Sequence, residues 1–174
     1  DAYGLLRAAI DDPDPVIFVE NLPTYRVPMA FELPGSDHRV PLGKAAVQRE
    51  GSDVTIVTYA RMAVQARAAA DQAAGEGISV EVVDLRTIAP WDRETVLASA
   101  RKTGRVIVVH EAVKEHGVGA EIASVVSEEL FGELKKPVKR LGGAFSAVPY
   151  SRPLENAYAP DAERILAAIQ DIVS

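Results

Sequence analysis

Residues 51–86 read GSDVTIVTYARMAVQARAAADQAAGEGISVEVVDLR. The run VTIVTY at 54–59 is dense in β-branched residues, which pack well on a pleated surface. It predicts a strand. Residues 62–74 are alanine-rich and carry no proline, so they predict a helix, closed by Gly75 and Gly77 where a left-handed turn comes cheaply. Residues 78–85 return to a strand pattern. A strand, a helix and a second strand in this order form a crossover, which joins parallel strands. The fold class follows from repeating this unit in both directions.

Downstream, Pro90-Trp91-Asp92 opens a helix to about Lys102, with Asp92 as its cap. Thr103-Gly104 turns the chain into RVIVVH at 105–110, another uniformly apolar strand. Gly117 and Gly119 precede a helix with the apolar stripe Ile122, Val125, Val126 and Leu130. A short strand is expected at 138–141. Pro160-Asp161 starts a last helix whose one face is Ile165, Leu166, Ile169, Ile172 and Val173. Upstream, 45–49 predicts a short edge strand that joins antiparallel. The expected architecture is α/β: a three-layer sandwich around a mostly parallel sheet with one antiparallel edge strand.

Residues 1–36 have a different texture from 37–174. Leu5, Leu6, Ala9 and Ile10 recur at helical spacing, and Asp11-Asp12-Pro13-Asp14-Pro15 stops that helix. VIFV at 16–19 predicts a short strand buried on both faces. Pro23, Pro28, Pro34 and Pro41 mark 21–41 as an extended linker. The chain opens on Asp1 with a helix already under way, which reads as a cut within a longer protein.

Composition narrows the function. The 174 residues are 48% hydrophobic, enough for a real core, and the net charge of −6 lacks the basic stripe of a nucleic-acid binder. No apolar run approaches the ~20 residues of a membrane-spanning helix. With no cysteine there is no disulfide, thiolate metal site or cysteine nucleophile.

Four constellations bear on chemistry. His110-Glu111 ends a buried strand, where open α/β sheets place ligands; the pair serves either acid–base work or an interface. Gly117-Val118-Gly119 opens a helix as a dinucleotide loop does, but Ile122 stands where a third glycine is needed, so a tight strand-to-helix connection accounts for it better. Asp11, Asp12 and Asp14 follow the free carbonyls of a helix end, which makes either a hard-cation site or a solvated turn. Arg86 after a strand suits an anion or, preferably, a structural ion pair. No G-x-S-x-G or H-E-x-x-H motif occurs.

Several segments together carry a resemblance: PVIFVE (15–20), VPLGKA (40–45), GSDVTIV (51–57), VDLRTIAPWD (83–92), KTGRV (102–106), HEA (110–112) and VGAEI (118–122). In this order they resemble the beta subunit of the thiamine-diphosphate-dependent decarboxylating component of 2-oxo acid dehydrogenase complexes, of pyruvate, branched-chain or acetoin type.

The resemblance implies a transketolase C-terminal-like domain at 37–174. It makes 1–36 the last helix and strand of a pyrimidine-binding domain plus linker. It places the cofactor-activating glutamate and the active-site histidines in the preceding half, so no catalytic or cofactor-binding residue is assigned here. Thiamine diphosphate and magnesium belong to the complete enzyme. It further implies a potassium ion held by the carbonyls of Ala9 and Ile10 with Asp12 and Asp14; Asp14 stands where asparagine is common.

The implied partners are an alpha subunit, a second beta subunit and the subunit-binding domain of the acyltransferase core. His110, Glu111, Gly117, Gly119, Glu133 and Lys135 are the implied interface residues. Relatives place an acidic residue in L-D-A-P or L-E-A-P, whereas this chain has Leu134-Lys135-Lys136-Pro137, so docking shifts to Glu133 or other acidic positions. The implied compartment is bacterial cytoplasm, or the mitochondrial matrix in a eukaryote. Three alternatives stay open: a non-catalytic assembly module, an acetoin dehydrogenase subunit, and a C-terminal domain of transketolase itself, which VPLGKA and VPYSRPLE (148–155) disfavour.

Overall fold

A computed structural model describes residues 1–26, 32 and 34–174. Helix α1 (Ala2–Asp11) is followed by a 3-10 turn (Leu22–Arg26), then β1 (Ala46–Arg49), β2 (Val54–Thr58), α2 (Arg61–Gly75), β3 (Val80–Asp84) and α3 (Arg93–Thr103). After these come β4 (Val106–Val113), α4 (Val118–Glu129), β5 (Lys139–Gly143), α5 (Arg152–Tyr158) and α6 (Ala162–Val173).

The sheet order is β1-β3-β2-β4-β5. β2 runs parallel to β3 and to β4, β4 parallel to β5, and β1 antiparallel to β3 at the edge. Both faces are covered. On one, Val54, Ile56, Val82, Ile107 and Val109 pack under Met62 and Ala66 of α2 and Ile165 and Ile169 of α6. On the other, Val57, Val83, Val106 and Val108 pack under Val96 and Ala100 of α3 and Ile122 and Val126 of α4. Burial on both faces explains why β2, β3 and β4 are mostly apolar and β-branched; Glu81 of β3 is a buried exception, its Oε2 accepting from the Gly51 N–H at 3.2 Å and pairing with Lys102. Thr55 enters this core satisfied: its hydroxyl lies 2.9 Å from both the Ser99 carbonyl and the Thr103 hydroxyl, tying β2 to α3.

The caps act as the residue types suggest. Asp92 accepts from the Thr95 N–H at 3.2 Å, and Asp161 from the Arg164 N–H at 2.8 Å. Gly104 ends α3 in the left-handed region at φ 69°.

Three expectations need correction. Residues 16–19 form no strand; Ile17 is 91% and Val19 83% exposed. A central strand needs neighbours to take its backbone hydrogen bonds, and among the described residues none lies beside it. The linker over 21–41 is not extended throughout, since 22–26 coils into the 3-10 turn; its residues 27–31 and 33 lie outside the described residues. Helix α5 was not foreseen, because RPLENAY buries no residue and so shows no apolar stripe.

Among the described residues, no helix is long and apolar enough to cross a membrane.

Candidate functional site

β2 leads through α2 to β3 on one side, while β4 and β5 lie on the other. The strand order therefore reverses between the carboxyl ends of β2 and β4, the place where open sheets form a crevice. Tyr59, Ala60 and Arg61 leave β2 there, and His110 and Glu111 lie on β4 beside them.

His110 is 1% exposed. Its Nδ1 lies 3.0 Å from the Ala112 carbonyl, within the 110–112 stretch where the pairing of β4 with β5 is irregular. That contact makes Nδ1 the protonated nitrogen and leaves Nε2 as a lone pair. Nε2 has no hydrogen-bond partner. The ring stacks on Tyr59 at 6.2 Å between centroids. Burial lowers the pKa of His110 below the usual imidazole value; the Ala112 hydrogen bond opposes the shift and the Arg140 charge reinforces it.

The ring accounts for Gly119 and contributes at Gly117 and Gly142, where backbone stands at least as close: the Val113 carbonyl 2.6 Å from a Cβ on Gly117 and the Lys114 Cα 2.9 Å from one on Gly142. A Cβ on Gly119 would lie 2.5 Å from Nε2, one on Gly117 2.9 Å from Cε1, and one on Gly142 3.0 Å from Cε1. Gly117 and Gly119 thus let the first turn of α4 close over an imidazole, and the cradle that a diphosphate would need is filled. The dinucleotide-like spacing has a packing cause that sequence alone could not reveal.

Glu111 points the other way and is half-buried. Its Oε2 accepts from the Asn21 side chain at 2.8 Å and its Oε1 from Arg61 at 3.2 Å. It ties the segment after residue 20 to the carboxyl edge of the sheet. Asn21 was missed in the sequence reading, because a lone asparagine before a proline-rich stretch reads only as linker.

The other expected residues are scattered. Arg86, at φ 59°, binds the Asp1 carboxylate through Nε at 2.9 Å and Nη2 at 2.7 Å, so it is a structural ion pair. Arg39 holds Asp11 at 2.5 Å, and the two pairs fix α1 at both ends. At the end of α1, Asp12 Oδ1 accepts the Asp14 N–H at 3.0 Å. Ala9 is half-buried and Ile10 exposed there. Among the described residues, no three His, Asp or Glu side chains gather as a metal would need. Glu133 pairs with Arg101 at 2.9 Å. Lys135 sends its ammonium to the Thr103 carbonyl at 2.9 Å, where it caps the end of α3.

Comparison with known proteins fits this architecture. The family model of the transketolase C-terminal domain matches residues 43–165. The chain is 49% identical over 170 residues to pyruvate dehydrogenase E1 component subunit beta-1, mitochondrial, of Arabidopsis thaliana, covering 97% of this chain and 47% of that protein. It is 40% identical over 173 residues to the 2-oxoisovalerate dehydrogenase subunit beta of Bacillus subtilis, covering 99% of this chain and 53% of that protein. A solved structure described as a split gene transketolase, inactive beta4 tetramer, matches with a TM-score of 0.70 and 35% identity, over 82% of this chain and 46% of that one. The chain spans about half the length of the curated relatives it matches. The resemblance to 2-oxo acid dehydrogenase beta subunits is borne out by these relatives, and the chain belongs to the transketolase C-terminal domain family.

Proposed function

We propose that this chain is the C-terminal part of the beta subunit of a thiamine-diphosphate-dependent 2-oxo acid dehydrogenase, and that it serves assembly rather than bond-making. The carrying observation is similarity along nearly its whole length to pyruvate and 2-oxoisovalerate dehydrogenase beta subunits. In this reading 37–174 is the transketolase-type domain, and 1–36 is the tail of the preceding one. The partners are an alpha subunit, a second beta subunit and the acyltransferase core, in a bacterial cytoplasm or a mitochondrial matrix.

The cofactor does not fit the described residues. The glycine pair at the start of α4 is closed by His110, and among the described residues no cluster of His, Asp and Glu gathers to hold magnesium. No step through thiamine diphosphate is assigned to this chain. For potassium the fit is partial: the carbonyls at the end of α1 lack intrahelical partners, but Asp12 is turned to the Asp14 N–H.

The complete subunit bearing this sequence, combined with an alpha subunit, thiamine diphosphate and magnesium, is expected to reduce a dye with pyruvate or 3-methyl-2-oxobutanoate. Turnover of acetoin alone would select the acetoin reading. Assembly without turnover of any of these substrates would leave only the non-catalytic module.

A further inference from the structure

The imidazole under α4 has a property that neither family nor partner requires. Its Nε2 is buried, unpartnered, and faces the first turn of a helix, where backbone N–H groups point outward. A lone pair is tolerated in that position. A proton is not, because a second N–H would be buried without an acceptor, and a positive charge would sit beside the positive end of the helix dipole.

No neighbouring group compensates. From β2 the facing group is Tyr59, stacked on the ring. From β5 it is the cation Arg140, whose Nη1 is bound to the Lys114 carbonyl. On β4 itself, both carboxylate oxygens of Glu111 are taken by Arg61 and Asn21. The turn into α4 carries Lys114, Glu115 and His116, all exposed, and Glu121 in the first helical turn is exposed as well. Tyr158 of α5 packs against Gly143, the last residue of β5.

We infer that the first turn of α4 is a proton-released catch: uptake of a proton by His110 frees residues 114–120 from the sheet while β2, β3 and β4 remain paired. Within the displaced turn Val118 is the side chain that packs on the core, and it is only partly buried. The two glycines add no side chain, and His116 at φ 57° already holds a sparsely populated backbone conformation. Opening hydrates the ring, so each pH unit below the ordinary imidazole value favours the open form by up to about tenfold.

Hydrogen exchange of the 174-residue chain, corrected for intrinsic rates, tests this at pH 7.5 and 5.5. The amides of Lys114 and Ala120, which donate to the Gly143 and Gly117 carbonyls at 2.9 Å each, are expected to lose several-fold protection on acidification while those of β2 do not. The pH effect is expected to vanish in His110→Gln and to persist in His116→Asn, which keeps the left-handed turn. Equal protection of Lys114 and Ala120 at both pH values overturns the proposal, as does an effect that follows His116. Loss of protection in β2 to the same extent also overturns it, because global unfolding would then explain everything.

Discussion

At Gly119 two effects of opposite sign meet. Alanine there would gain about 1 kcal/mol of helix propensity. It would also drive a Cβ to 2.5 Å from His110 Nε2 and 3.2 Å from Val108 Cγ1. Overpacking of this kind costs about 1–3 kcal/mol, and the ring is held by its bond to Ala112, so it cannot retreat. Gly119→Ala is therefore expected to lower stability in urea denaturation. In a His110→Ala background the same substitution should cost less or be neutral, since only the Val108 Cγ1 contact at 3.2 Å remains. Equal costs in both backgrounds would mean that the glycine is there for its backbone alone.

At the scale of elements, α3 shows how one capping residue joins two layers. Asp92 accepts from the Thr95 N–H and hydroxyl, and from the Ala45 N–H at 3.1 Å just before β1. Burial raises its carboxyl pKa, but these hydrogen bonds and the Lys44 charge outweigh it, and the net shift is downward. A lowered carboxyl stabilises the fold fully above its unfolded value, and that contribution is lost as pH falls through the folded value. Asp92→Ala is expected to cost about 2 kcal/mol at neutral pH, from the cap and the orphaned Ala45 N–H. The gap between variant and parent should narrow only below the ordinary carboxylate range. A gap that closes already near pH 6 would assign the stabilisation to another group.

The same scale shows what a sequence discloses. Asp92 and Gly104 were legible because capping is local chemistry. β2, β3 and β4 were legible because a strand buried on both faces is mostly apolar and β-branched, with Thr55 and Glu81 as buried polar exceptions. The run at 16–19 has that pattern too, yet it is exposed: pattern states what a segment can bury, and the partner decides whether it does. Helix α5 failed the opposite test, having no buried residue to betray its period. The cradle of Gly117, Gly119 and Gly142 around His110 joins positions from three elements, so spacing along the chain could only suggest a nucleotide loop. The Glu111–Asn21 tie spans 90 residues and was hidden for the same reason.

Across the whole molecule, uncovered apolar side chains among the described residues gather in two segments: one before the domain, with Val16, Ile17, Val19, Leu22 and Tyr25, and one within it, after β5. Phe145 is 72%, Val148 71%, Tyr150 103% and Leu154 61% exposed, all between β5 and the end of α5. Single exposed hydrophobics are ordinary; four within ten residues on one segment mark a contact surface. A second copy of the chain is the occupant that accords with the proposed subunit role. Aromatic residues at such a surface carry most of the binding energy when they bury, so Phe145 and Tyr150 should matter most. The double variant Phe145→Ser, Tyr150→Ser is expected to keep the stability of the parent within about 0.5 kcal/mol, because neither side chain packs in the core. In sedimentation velocity it should shift the chain from a dimer towards a monomer at micromolar concentration. A parent that sediments as a monomer at all concentrations would remove the second copy as occupant, and a variant that still dimerises would move the contact to another face.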